Sequence, residues 1–296
     1  MTAQNKARNT RLGILLMCLT SFVFAMQDGI SVHLARNYNV WMVVTIRFWF
    51  FALFAIALVA RQPGGLGVAL RSRMPGLQVL RGVLLIVEIC VMVLAFVKVG
   101  LLATQSLFIS YPLMVAALSG PILGEKVGWR RWLAIVVGFV GVIVILNPGG
   151  AVFTPWAVVP LAAAILFAIY ALLTRYVART DAALTSFLWT GVVAAILITP
   201  VGLWMWEPMS PADWGWMGLL CCTASASHFM MIKAFELAEA GDVQPFALLQ
   251  LVFVAGLAVI VFDETLETRV IVGTVMVVGA ALFTLLRARA VARSGA

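Results

Sequence analysis

A few ionisable and polar side chains are embedded in long apolar runs, and they limit what chemistry this chain can do. Glu88 lies mid-run and suits recognition of an ammonium group or carriage of a proton; its alternative is a buried ion pair with a residue such as Arg47. His228, beside Ser227, suits proton relay near neutral pH or a hydrogen-bonded packing role. Asp28 and Arg47 occupy adjacent apolar runs, where a structural ion pair costs less than two isolated charges. Gln105 and Gln244 read as gates or helix-to-helix hydrogen bonds. Phe108, Tyr111, Tyr170 and Trp189 could wall an apolar pocket with polar handles. Lys233 and Arg81 lie near run ends and are expected to snorkel to headgroups.

Catalytic and metal chemistry find no support. His33 and His228 are the two histidines, with no H-E-x-x-H, no G-x-S-x-G and no phosphate-cradling glycine loop. Cys18, Cys90, Cys221 and Cys222 lack metal-type spacing and read as packing residues. No cofactor, metal or catalytic residue is expected, and a membrane-embedded enzyme acting on lipid or peptide is the disfavoured class.

The elements that must position these residues are membrane helices. The chain is 64% hydrophobic and 11% charged, with a mean hydropathy of +1.08. Apolar runs long enough to cross about 30 Å of hydrocarbon recur ten times, near 12–33, 40–60, 77–97, 102–123, 129–147, 154–174, 183–204, 213–234, 243–262 and 269–287. Their connections are short, so successive helices return antiparallel and no soluble domain fits. The basic, then apolar, N-terminal stretch resembles a secretory leader, but the apolar run continues to Leu34, so a retained helix is expected. Tyr111-Pro112 predicts a kink in the fourth span.

With the N-terminus inside, fifteen Lys and Arg residues fall on one side and three, Arg36, Lys98 and Arg269, on the other. Basic connections stay cytoplasmic, which places both termini there. The net charge of +8 is mostly this bias, and no nucleic-acid partner is needed to explain it.

An internal comparison divides the chain. A shift of 139 residues lays Gln105 over Gln244, Glu125 over Glu264 and Arg130 over Arg269; a shift of 143 lays Phe24-Ala25 over Phe167-Ala168. Five spans per half is an odd number, so the halves, 1–150 and 151–296, must be inverted. The "SGPILGEKVGWRRW" stretch then joins spans four and five on the cytoplasmic side.

The "LGEKVGWRRWLAIVVGFVGVIVIL" segment, duplicated in inverted form, resembles the drug/metabolite transporter superfamily, and within it the EamA-type ten-helix exporters. Asp263 replaces the motif glycine in the second copy. The resemblance implies a central cavity between the halves, with the last helix of each half as outer support. Gly138, Gly141, Gly273 and Gly279 on those last helices form small-residue faces suited to close packing. It further implies a secondary transporter of a bacterial cytoplasmic membrane, working as a monomer on a small-molecule substrate by alternating access. Export of amino acids, including aromatic ones, is the leading expectation. Uptake of a nucleoside-like metabolite such as S-adenosylmethionine is the alternative. Proton coupling and facilitated diffusion both remain open.

Overall fold

The structure, a computed structural model, describes residues 3–123, 129–146, 155–238, 243, 246–263, 265 and 267–294. Among these the regular structure is helical: α1 (Ala3–Asn37), α2 (Val40–Ala60), α3 (Gly65–Ala69), α4 (Pro75–Val99), α5 (Leu101–Phe108), α6 (Tyr111–Leu123), α7 (Trp129–Leu146), a 3-10 turn at Pro155–Val158, α8 (Val159–Val177), α9 (Ala183–Trp204), α10 (Pro211–Leu237), α11 (Leu249–Phe262) and α12 (Thr268–Ser294). Among the described residues six stretches are long and apolar enough to cross a bilayer: Asn9–Asn37, Val40–Ala60, Pro75–Val99, Pro155–Val177, Ala183–Trp204 and Pro211–Leu237. Four shorter apolar helical stretches accompany them, Leu101–Val115, Trp132–Ile145, Leu249–Phe262 and Thr268–Ala280.

Helices dominate because hydrocarbon offers no partner to backbone N–H and C=O groups, and a helix satisfies them within one segment. Leu12, Leu15, Leu19 and Phe22 on α1, Val136, Val140 and Ile143 on α7, and Ile260 on α11 are exposed. In water such rows would aggregate; against lipid tails they are the required outer surface. The chain is a multi-pass membrane protein.

The closest helix pairings are α1 with α10, α4 with α8, α2 with α9 and α7 with α12, and α11 packs on α1. The α7–α12 crossing depends on glycine. A Cβ on Gly141 would lie 2.7 Å from the Gly273 carbonyl oxygen, and one on Gly273 only 2.6 Å from that of Gly141. Gly279 differs from expectation: nothing lies within 4 Å of its would-be Cβ, so it makes no close crossing.

The expected fourth span is broken. α5 ends at Phe108, the chain turns through Ile109 and Ser110, and α6 restarts at Tyr111. Pro112 sits in the first turn of α6, where a missing N–H costs nothing. Ser110 Oγ donates to the Leu107 carbonyl at 2.7 Å, satisfying one acceptor at the break. Gly100, between α4 and α5, has φ of 93°, a conformation L residues rarely adopt.

Arg81 also departs from expectation. It is 0% exposed, so it does not snorkel. Its Nε donates to Thr174 Oγ1 at 3.0 Å, one guanidinium N–H donates to the side-chain Oε1 of Gln78, and the guanidinium carbon lies 5.3 Å from the Tyr170 ring centre. Gln78 in turn donates to Asp181 at 2.8 Å and to Ser186 at 3.2 Å. Ser72 and the Arg73 amide also donate to Asp181. Burial pushes the Asp181 carboxyl up, yet the donors from Ser72, Arg73, Gln78 and Thr180 outweigh it and hold it below its ordinary value. This network joins α4, α8 and α9 at one face. In a second network, His33, Tyr38 and Ser210 converge on Asp213, at 2.9, 2.7 and 2.7 Å, joining α1, the α1–α2 turn and α10.

Candidate functional site

α1, α2, α4, α5, α8, α10 and α11 contribute to an internal cavity of about 50 Å³. Its polar wall is Gln27, Asp28, Ser31, Arg47, Glu88, Gln105, His228 and Gln250; its apolar wall includes Phe24, Met92, Phe96, Phe108 and Phe167. Among the expected site residues, Glu88, His228, Gln105 and Phe108 therefore meet at one place, together with Asp28 and Arg47.

Asp28 and Arg47, expected as an ion pair, act on each other electrostatically without an ion-pair contact among the described residues. Asp28 Oδ2 instead accepts from Gln105 Nε2 at 2.5 Å and from Gln250 Nε2 at 2.9 Å. Two amide donors from different helices give the carboxylate fixed, uncharged partners. The ion pairs among the described residues are His33–Asp213, Lys233–Glu236 and Glu267–Arg269, none of them in this cavity. Arg47, 4% exposed, has an Nε without a hydrogen-bond partner, although Asp28 and Glu88 are both near enough for their charges to act on it. Glu88, also 4% exposed, accepts no hydrogen bond from the described residues. The cavity wall thus carries a guanidinium and a carboxyl that make no hydrogen bond or ion-pair contact with the described residues.

His228 has a fixed tautomer when neutral. Its Nδ1 lies 3.0 Å from the Ala224 carbonyl, which can only accept, so Nδ1 carries the proton and Nε2 is an acceptor. The ring packs edge-on against Phe24, 5.2 Å between centres.

Other expected residues lie elsewhere. Ser227 donates to Gln27 Oε1 at 3.3 Å and supports the wall from behind. Tyr111 lines a second, smaller cavity of about 20 Å³. Tyr170 is enclosed under Arg81, and Trp189 on α9 lies outside both cavities, its indole N–H without a partner. Gln244, and the Glu125 and Glu264 of the repeated motif, lie outside the described residues. Gln250 was missed as a site residue. Being an amide within an apolar run was its sequence signal, and its partner Asp28 is 222 residues away.

No group of three or more His, Cys, Asp or Glu side chains that could hold a metal occurs among the described residues.

Known proteins are similar to this chain over most of its length. An S-adenosylmethionine uptake transporter of Rickettsia prowazekii (strain Madrid E) is 27% identical over 280 residues, covering 94% of each chain. A riboflavin transporter of Vibrio cholerae serotype O1 (strain ATCC 39315 / El Tor Inaba N16961) is 30% identical over 203 residues, covering 65% of this chain and 67% of that one. A protein crystal structure superposes with a TM-score of 0.67 at 17% identity, over 96% of this chain and 99% of that chain, a likeness of fold alone. The EamA-like transporter family profile matches residues 11–147 and 154–286, and with a buried polar chamber inside a bundle of apolar helices, this chain belongs to that family of membrane transporters.

Proposed function

We propose that the protein takes up a nucleoside-like metabolite bearing an α-amino-acid head, S-adenosylmethionine being the case that fits. The observation that carries this is the pair Arg47 and Glu88, a guanidinium and a carboxyl that line one cavity without a hydrogen bond or ion-pair contact to the described residues. An α-carboxylate matches the planar guanidinium fork of Arg47, and an α-ammonium matches Glu88. Asp28 adds a second carboxyl, so two carboxyls and one guanidinium line the chamber. S-adenosylmethionine is the mirror image: a sulfonium and an ammonium against one carboxylate. Riboflavin has neither the head nor the charge. Uptake as the direction is supported by the name of the Rickettsia prowazekii relative.

Ten spans in two inverted halves, 1–150 and 151–296, underlie the mechanism. The helix pairings support this reading: α1 with α10 and α4 with α8 exchange when the halves are swapped, while α2 with α9 and α7 with α12 map onto themselves. Both termini face the cytoplasm of a bacterial cell, as the Lys and Arg distribution asks. A cavity of about 50 Å³ is far below the ~300 Å³ or more of a typical ligand site. Transport therefore requires the halves to move apart on one side and then the other, exposing the chamber alternately.

The same Arg47–Glu88 pair also suits a free amino acid, which keeps amino-acid export as the second reading. Proteoliposomes separate the two. Labelled S-adenosylmethionine, phenylalanine, tryptophan and riboflavin are offered with and without an imposed pH gradient. Saturable entry of S-adenosylmethionine that phenylalanine fails to compete supports uptake of the larger substrate; saturable movement of phenylalanine or tryptophan alone reverses the choice.

A further inference from the structure

Two cavities lie in series and share three wall residues. The larger holds Arg47, Glu88 and Asp28; the smaller is bounded by Met17, Ser21, Tyr111 and Met231; Phe24, Phe167 and Gln250 line both. The dividing wall is aromatic. The Phe167 ring stands edge-on to Tyr111 at 4.9 Å and lies 5.4 Å from Phe108, while Phe24 meets the His228 ring at 5.2 Å. The two phenylalanines come from α1 and α8 and sit at matching places in the internal repeat, Phe24-Ala25 over Phe167-Ala168.

Beside this wall are polar groups with hydrogen-bonding capacity not used by the described residues. Tyr111 lines the smaller cavity, and its hydroxyl makes no hydrogen bond to the described residues. Gln250, which lines both cavities, gives its amide N–H to Asp28, and its side-chain carbonyl oxygen accepts no hydrogen bond among the described residues. One donor and one acceptor next to π faces suit a flat ring that carries both an acceptor nitrogen and an amino group.

We propose that Phe24 and Phe167 form a ring subsite: they part to join the two cavities and take between them a flat, amino-bearing heteroaromatic ring of the adenine type. The assignment rests on the reading that Arg47 and Glu88 hold the substrate's amino-acid head. It places head and ring on opposite sides of one aromatic wall, so a substrate long enough to reach both spans the two cavities. A free aliphatic amino acid fills the head site and leaves the wall closed.

The test is equilibrium binding of S-adenosylmethionine, methionine and adenosine to the purified full-length protein in lipid nanodiscs. Phe24→Leu and Phe167→Leu keep apolar volume while removing the π face, and Phe167→Tyr restores it; thermal unfolding verifies that each variant is folded. Loss of base stacking predicts about 5- to 150-fold weaker S-adenosylmethionine and adenosine binding in the leucine variants, with methionine unchanged and the tyrosine variant close to wild type. Equal weakening of methionine, or no change for adenosine, overturns the subsite. If the wild type binds adenosine but not methionine, the head assignment fails while the leucine variants still decide the subsite. If it binds neither S-adenosylmethionine nor adenosine, the subsite is overturned outright.

Discussion

Replacing Arg47 by lysine keeps the positive charge in the chamber but removes the planar fork. Glu88→Gln keeps shape but removes the negative charge. Neither side chain makes an ion-pair contact or hydrogen bond among the described residues, so neither change breaks a direct hydrogen bond. The loss must therefore fall on the ligand. A hydrogen bond to a charged group contributes roughly 1.5–3 kcal/mol, which converts to about 10- to 150-fold in affinity. Each variant should weaken S-adenosylmethionine by that factor, while adenosine, which lacks the amino-acid head, should change by less than about threefold. Unfolding midpoints should stay near wild type for Arg47→Lys, which keeps the buried positive charge beside Asp28 and Glu88. Equilibrium binding in nanodiscs beside thermal unfolding reads both quantities. Adenosine weakened as much as S-adenosylmethionine, or folded variants with unchanged S-adenosylmethionine affinity, would refute the head-group assignment.

Three further outcomes follow from packing and hydrogen bonding. Asp28→Ala strands the Gln105 and Gln250 amide donors in a buried site, and should cost about 2–4 kcal/mol of stability, with Asp28→Asn milder, measured by denaturant or thermal unfolding in detergent. Gly141→Val should loosen the α7–α12 crossing by about 1–3 kcal/mol, because its Cβ would meet the Gly273 carbonyl at 2.7 Å, whereas Gly279→Ala, with open space around it, should be neutral; equal effects would sink that account. The Asp181 carboxyl is held below its ordinary value when folded, so its contribution is fully present above about pH 4, the unfolded value, and is lost as pH falls through the folded one. Unfolding midpoints of wild type and Asp181→Asn should therefore converge in acid, and a gap that widens as pH falls would contradict the sign.

Local hydrophobicity was readable directly. The apolar runs at 40–60 and 183–204 coincide with α2 and α9, since the tendency of a run to form a membrane helix depends on its own residues. The break between α5 and α6 was foreshadowed by Tyr111-Pro112, but its form was not: two helices separated by a turn at Ser110, with Pro112 harmless in a first turn. Arg81 misled because distance from a helix end says nothing about which face a neighbour covers; α8 closes over it with Thr174 and Tyr170. Asp28 misled for the same reason. Two nearby charges suggested a pair, and distant amides on α5 and α11 took the carboxylate instead.

The sequence by itself determined a basic-sided, apolar, helix-forming chain and supplied the short set of polar residues that hydrocarbon would reject, because transfer cost is a property of each residue. Tertiary structure alone decided which of those residues share a chamber, which are already engaged and which are left for a ligand. Those outcomes depend on contacts such as Ser227 with Gln27, 200 residues apart, and Gln250 with Asp28, which are set by how helices pack against one another and leave no local trace in the chain.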